Sequence, residues 1–251
     1  LLKQNGYDIS IISDIERNDP AILKRTLSSS DALILNKEFV TPKTLPLLCS
    51  YPCPIILIDS PFVSDNPFHQ VVADLFPGFR KAADYFAELG VREVVIAGIA
   101  NTETHQFRRR LFRRIMSVFH PEIALCEDLT HEYLLNNYGE ECGRRIARNY
   151  LKLPRRPGIF SVSDYISFGM LDVLEGAGLC AGKDFKLISF DNLEIRGIGP
   201  YPEPRLTTIE YPYDSLGREL IAMLSELLAA RTANTRIIRT PADNLIIRST
   251  T

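Results

Sequence analysis

The sequence predicts an α/β fold made of two doubly wound lobes, each a mostly parallel sheet with helices on both faces. Two observations carry this expectation. Apolar, β-branched runs alternate along the chain with segments of helical period, the pattern of βαβ units. Roughly ten such runs occur, more than one sheet usually holds, so two sheets fit better than one. The 251 residues are ample for either one large core or two smaller ones.

The elements follow in order. "YDISIIS" (7–13) reads as a strand and precedes Asp19-Pro20, a cap and a first-turn proline that should open a helix carrying Ile22, Leu23 and Leu27. "DALILN" (31–36) leads to Thr41-Pro42, the same start signal, with Leu45 and Leu48 beyond it. "PIILID" (54–59) and "VVAD" (71–74) are strands. Phe79, Ala82, Ala83, Phe86 and Leu89 then fall on one helical face that Gly90 ends. The pattern restarts with "EVVIAGI" (93–99) and a helix through Phe107, Leu111, Ile115 and Val118, and another helix surrounds Cys142, Ile146 and Tyr150. "GIFSVS" (158–163), a helix from Asp164 to Ala177 and "KLISF" (186–190) come next. A long helix from Asp214 to about Ala230 aligns Leu216, Leu220, Leu224 and Leu227. "RIIRT" and "NLIIR" close the chain as strands.

Composition excludes several classes. A formal charge of -2 gives no overall footprint for nucleic acid or an anionic membrane. Cysteines 49, 53, 126, 142 and 180 are odd in number and scattered, which argues against a disulfide framework and suits a reducing, cytoplasmic setting. No apolar run approaches the roughly 20 residues of a membrane helix. The opening "LLKQNGYD" has neither a methionine nor a signal-like start, so the sequence reads as part of a longer chain. "GAGLCAG" (176–182) follows a helix, which makes its glycines terminators, not a nucleotide loop. The histidines at 69, 105, 120 and 131 lack metal-ligand spacing, and neither a G-x-S-x-G elbow nor a P-loop occurs. Nothing marks an enzyme. In "FRRRLFRR" (107–114) most arginines read as the solvated face of a helix.

Polar groups at strand ends form a more coherent set. "KLISFDN" runs apolar from Lys186 and stops on Asp191 and Asn192, while Asp74 ends "VVAD" and Ser163 with Asp164 ends "GIFSVS". Each alone could be a turn or a helix cap. Together they lie where the ligand crevice of an open α/β sheet forms.

"PGIFSVSDYISFGMLDVLEGAGL", "KLISFDN" and "PRLTTIEYPYDSLGREL" resemble successive segments of the effector-binding core of the lactose-repressor (LacI-type) family of bacterial transcription regulators. "GYDISII", "DALIL", "CPIILID" and "AADYFAELGVREVVIAGI" resemble that core's N-terminal lobe, in the same order. The resemblance implies a periplasmic-binding-protein-like type I fold, two lobes joined by three crossovers with a small effector between them. It divides the chain into 1–91 plus 211–239 and 92–210 plus 240–251. The family's effector ligands correspond to Asp74, Arg108, Ser163 with Asp164, and Asp191; Phe160 either lines the pocket or packs in the core. Four departures stand out: Ser163 for an asparagine, Leu75 for an asparagine, Val91 for a histidine and Leu111 for a glycine. A hydroxyl in place of an amide at Ser163 changes the contacts available there.

The function so implied is effector sensing by a transcription regulator, with a small, sugar-like polar effector, no cofactor, no metal and no membrane partner. Operator DNA would be bound through a helix-turn-helix that precedes this sequence, as would the core's first strand, and a homodimer would read the operator. A carrier delivering a sugar to a transporter shares the fold and is the alternative. Alanine at Arg108 or Asp191 is expected to abolish ligand binding and leave the unliganded protein almost as stable.

Overall fold

The computed structural model describes residues 2–11, 24–25, 27–36, 39–58, 67–132, 139–229 and 234–251. The expected helix start at Asp19-Pro20, with Ile22 and Leu23, lies outside the described residues. In chain order the elements are β1 (Leu33–Leu35), α1 (Leu45–Cys49), β2 (Ile55–Ile58), β3 (His69–Asp74), α2 (Phe76–Glu88), β4 (Glu93–Ile99), α3 (Glu103–Phe119), β5 (Ala124–Leu125), β6 (Leu129–His131), α4 (Gly139–Tyr150), β7 (Gly158–Ser161), α5 (Asp164–Gly176), β8 (Leu187–Asp191), β9 (Thr207–Glu210), α6 (Tyr213–Ala229), β10 (Ile237–Pro241) and β11 (Leu245–Ile246). They form two compact units, Leu1–Asp74 with Pro212–Thr240 and Leu75–Tyr211 with Pro241–Thr251.

The first unit is built on a sheet of order β1-β2-β3-β10, in which β1 pairs with β2 and β2 with β3 in parallel. Successive side chains of a strand point to opposite faces, and a parallel sheet is covered on both. β2 shows this directly. Ile55 and Leu57 join Leu33, Leu35, Leu48 and Phe68 in one cluster. Ile56, between them, meets Val71 and the α6 residues Leu220, Met223, Leu224 and Leu227 in another. Leu220, Leu224 and Leu227 belong to the apolar stripe read from the sequence, the partly buried Leu216 packs against the cluster, and Met223 joins them. α1 starts after Thr44, later than Thr41-Pro42 implied, because Thr41 and Thr44 first close a turn in which the Thr44 N–H donates to Thr41 Oγ1 at 3.2 Å. The expected first strand is not formed over residues 7–11. No described strand offers that segment a ladder, and Ile9 and Ile11 stand 42% and 90% exposed.

The second unit has the strand order β11-β9-β8-β7-β4-β5, with β6 also on β4. All its pairs are parallel except β11 with β9. β4, β7 and β8 are buried almost throughout, as near-continuous apolar runs covered on both faces should be. β5 and β6 were not legible in the sequence: they are two and three residues long and pair with successive stretches of β4. Phe79 of α2 lies edge-on to Phe112, Phe160 and Phe190, a ring cluster that ties two helices to the sheet. α4 and α5 approach closely through glycines; a Cβ on Gly169 would lie 1.8 Å from the Glu140 carbonyl oxygen.

This packing moves one boundary. The sequence placed α2 with the first lobe and the first crossover near Val91, whereas the structure divides at Asp74–Leu75. The reason is α2's apolar face: Phe79, Ala82, Ala83 and Phe86 are fully buried, and Phe79 packs on rings from α3, β7 and β8. The other two crossings fall at Tyr211–Pro212 and Thr240–Pro241.

Candidate functional site

From β4 the chain passes through α3 to β5 and β6 on one side, then returns through α4 to β7 on the other. That reversal makes the carboxyl ends of β4 and β7 a topological switch point, where open α/β sheets bind ligands. Three elements deliver polar groups there: α3 after β4, the start of α5 after β7, and the end of β8.

Arg108 is the centre. It lies on the buried stripe of α3, which is Arg108, Phe112, Ile115 and Met116, not the Phe107 and Leu111 stripe expected. Its Nη1 donates to the Val162 carbonyl at 2.9 Å and to Asp191 Oδ1 at 3.2 Å. Its Cζ stands 4.3 Å from the centroid of the Phe190 ring. The other arginines of the run divide between partners and solvent: Arg109 and Arg113 share Asp128, and Arg114 is exposed.

Asp191 ends β8 at φ 123° and Asn192 follows at φ 58°. Non-glycine residues at positive φ are uncommon and costly, about 1–3 kcal/mol each in the sparse regions, and they cluster at functional sites. The turn aims the Asp191 carboxylate at Arg108 through Oδ1, and Oδ2 accepts from Ser163 Oγ at 3.0 Å. Ser163 is the N-cap residue of α5, yet its hydroxyl makes no cap bond. The Asp191 carboxylate takes it instead.

Asp164 begins α5 and is fully buried. Its carboxylate accepts the Leu193 N–H at 2.7 Å and Thr208 Oγ1–H at 3.0 Å. Burial pushes its pKa up to about 7, and the neighbouring Asp191 carboxylate adds to the rise. His105, in the first turn of α3, is driven down to about 3 by burial and by the cations Arg108 and Arg109. It is therefore a neutral imidazole, and its Nδ1 accepts the Ile99 N–H at 3.2 Å.

Of the six residues expected at the site, the structure brings Arg108, Ser163, Asp164 and Asp191 together. Asp74 closes β3, half-buried, in the first unit. Phe160 is fully buried, its ring stacked 3.6 Å from that of Phe112. It packs in the core, and Phe190 supplies the ring beneath Arg108. Sequence reasoning missed Phe190 and Thr208. Two adjacent threonines inside the apolar run "LTTIEY" were the signal for Thr208, since a buried hydroxyl needs a partner. Thr102 Oγ1 and Arg108 Nε are buried polar atoms with no hydrogen-bond partner among the described residues.

A carboxylate, a guanidinium and a hydroxyl in one cluster can donate to and accept from the hydroxyls of one small molecule, with charge-assisted strength. The geometry also corrects one expectation. Arg108 and Asp191 are a buried pair, their side chains 8% and 10% exposed, so truncating either leaves a buried charge unpaired. Such truncations cost about 3–5 kcal/mol. Alanine at either position therefore destabilises the unliganded protein too. Among the described residues no group of side chains is arranged to hold a metal, and no helix is long and apolar enough to cross a membrane.

Residues 83–251 match the family described as periplasmic binding protein-like domain. The chain belongs to this family. Over 195 residues this periplasmic binding protein-like domain is 29% identical to the HTH-type transcriptional repressor PurR of Escherichia coli, an alignment covering 76% of the chain and 54% of that repressor. It thus spans about half the length of the curated relatives it matches. Among solved structures, a LacI family transcriptional regulator from Enterococcus faecium with bound ribose aligns at TM-score 0.81 and 22% identity, covering 100% of this chain and 89% of that one. The Lac repressor bound to ONPG aligns at TM-score 0.75 and 16% identity, covering 100% and 74%. The expected type I periplasmic-binding-protein-like fold and the resemblance to the lactose-repressor effector-binding core are both borne out.

Proposed function

We propose that this chain is the effector-sensing part of a LacI-type transcription regulator and that the Arg108–Asp191–Ser163 cluster binds a small polar molecule with adjacent hydroxyls, such as a sugar. The observation that carries the reading is the buried Arg108–Asp191 pair at a positive-φ strand end, where parallel strands meet at a switch point. The ribose held by the Enterococcus faecium regulator supports a pentose-sized polyol as the first class to test. Operator DNA, reached through a separate helix-turn-helix, and a second copy of the chain are the partners of the full-length regulator. A two-fold assembly matches the two halves of a palindromic operator. Effector binding favours one conformation over another and so changes DNA affinity by linkage.

A panel of pentoses, hexoses and related polyols tests the ligand class by thermal shift. A ligand that binds only the folded state at about 100 times its Kd stabilises by about 2.7 kcal/mol. At least one panel member is expected to raise the melting temperature in a concentration-dependent way. No shift from any polyol, alongside a shift from an apolar or anionic metabolite, would remove the sugar from the proposal.

A further inference from the structure

We propose that Glu210 and Arg248 are positioning residues of the effector site, acting through Asn192 to hold the turn that presents Asp191 to Arg108. This inference rests on reading that cluster as the effector site. Asn192 is 1% exposed, and both ends of its amide are engaged. Its Nδ2 donates to Glu210 Oε1 at 3.1 Å and its Oδ1 accepts from Arg248 Nη2 at 2.9 Å. A turn needing only positive φ would be served by glycine, without partners for a side chain. Two ionic partners on one amide instead fix the orientation of the residue next to Asp191, by bonds stronger than neutral ones.

Both partners are themselves anchored within the second unit. Arg248 donates from Nη1 to the Leu206 carbonyl at 2.9 Å and lies 3.5 Å from Glu194 Oε2. Glu210 stands opposite Asp191 in the β8–β9 register, and its Oε2 accepts from Asn244 Nδ2 at 2.9 Å. The clamp also stands beside two chain crossings. Glu210 is followed by Tyr211, after which the chain leaves the unit, and Asn244 comes just after the return at Pro241. The Tyr211 N–H donates to the Asp191 carbonyl at 3.4 Å. The carboxylate that orients the binding turn thus belongs to the segment that leaves this unit and is bonded to the segment that returns to it.

The test uses the whole chain without ligand and the variants Asn192→Gly, Glu210→Leu and Glu210→Gln. Amide exchange reports the turn through Leu193, whose N–H is held by Asp164 Oδ2. The carboxyl titration of Asp164, followed by NMR, reports the approach of Asp191, whose charge helps to raise it. In Asn192→Gly and Glu210→Leu, the Leu193 amide is expected to exchange about tenfold faster, and the Asp164 midpoint to fall. Glu210→Gln keeps the Oε1 acceptor for Asn192 and loses the acceptor for Asn244, whose exposed amide can turn its oxygen toward the new NH2, so both readouts should return toward wild type. Wild-type exchange and midpoint in Asn192→Gly and Glu210→Leu would overturn the proposal. So would a lower melting temperature with an unmoved midpoint, the mark of a purely structural role. Both readouts are taken without ligand, so failure of every polyol to bind would count against the effector reading alone.

Discussion

Asp164 should make the stability of this protein fall as pH rises from about 4 to about 7. Its carboxyl is fully buried and its pKa rises from the ordinary 3.8 to about 7 through burial and the nearby Asp191 charge. The folded state therefore binds the proton more tightly than the unfolded chain does. Between the two values the native state holds more protons, so the slope of unfolding free energy with pH is negative. The stabilisation is complete below about pH 4 and is lost by about pH 7. At 1.36 kcal/mol per pK unit, the whole change is on the order of 4 kcal/mol. Asp164→Asn removes the titration while keeping an acceptor for the Leu193 N–H and an amide that can donate to Thr208 Oγ1. Urea unfolding of both proteins from pH 4.5 to 8 measures the difference, which should shift in favour of the asparagine variant as pH rises. A difference that stays flat with pH would show that Asp164 is ionised throughout the range, and the electrostatic account of its burial would fail.

Two further perturbations test the packing. Phe79→Ala removes a fully buried ring that contacts Phe112, Phe160 and Phe190, and should cost about 3–5 kcal/mol in urea unfolding; a loss below 1 kcal/mol would mean that α2 does not pack as described. Gly169→Ala should destabilise although alanine ordinarily favours a helix by about 1 kcal/mol over glycine, because its Cβ would lie 1.8 Å from the Glu140 carbonyl oxygen; a gain in stability would contradict the close α4–α5 approach.

Periodicity made most of the fold legible. β2, β4 and β8 are short apolar runs whose length and flanking turns distinguish them from helices, and α6 shows its stripe in Leu216, Leu220, Leu224 and Leu227. Periodicity says which face is buried, not which neighbour buries it. The same Phe79, Ala82 and Phe86 face would suit either unit, and only the rings across from it assign α2 to the second. β5 and β6 were missed because two or three residues are too few to show a period. Residues 7–11 read as a strand because β-branched residues favour extended chain, but a strand also needs a neighbour to bond.

The site was legible where polar residues end apolar runs, as at Ser163, Asp164 and Asp191. It was hidden where a group enters from another element. Phe190 reads as one more core phenylalanine until Arg108 is seen above it. Periodicity alone reads Arg108 as one of several surface arginines; the family resemblance singled it out, and the buried stripe of α3 includes it. Nothing local to Arg248 or Glu210 reveals that they share Asn192, since those contacts join residues 56 and 18 positions apart.

The central claim is that Asp191 binds the effector directly, and calorimetric titration of the whole chain with the polyol selected by thermal shift tests it most directly. Wild type is compared with Asp191→Asn, which keeps shape but loses the charge, and with Ser163→Ala, which removes the hydroxyl that Asp191 accepts from. Replacing a charge-assisted hydrogen bond worth about 1.5–3 kcal/mol should weaken binding by about 10-fold to 100-fold in Asp191→Asn. Ser163→Ala should have a smaller effect in the same direction. Wild-type affinity in both variants, each confirmed folded by its own unfolding transition, would place the effector elsewhere and leave Asp191 as a turn residue.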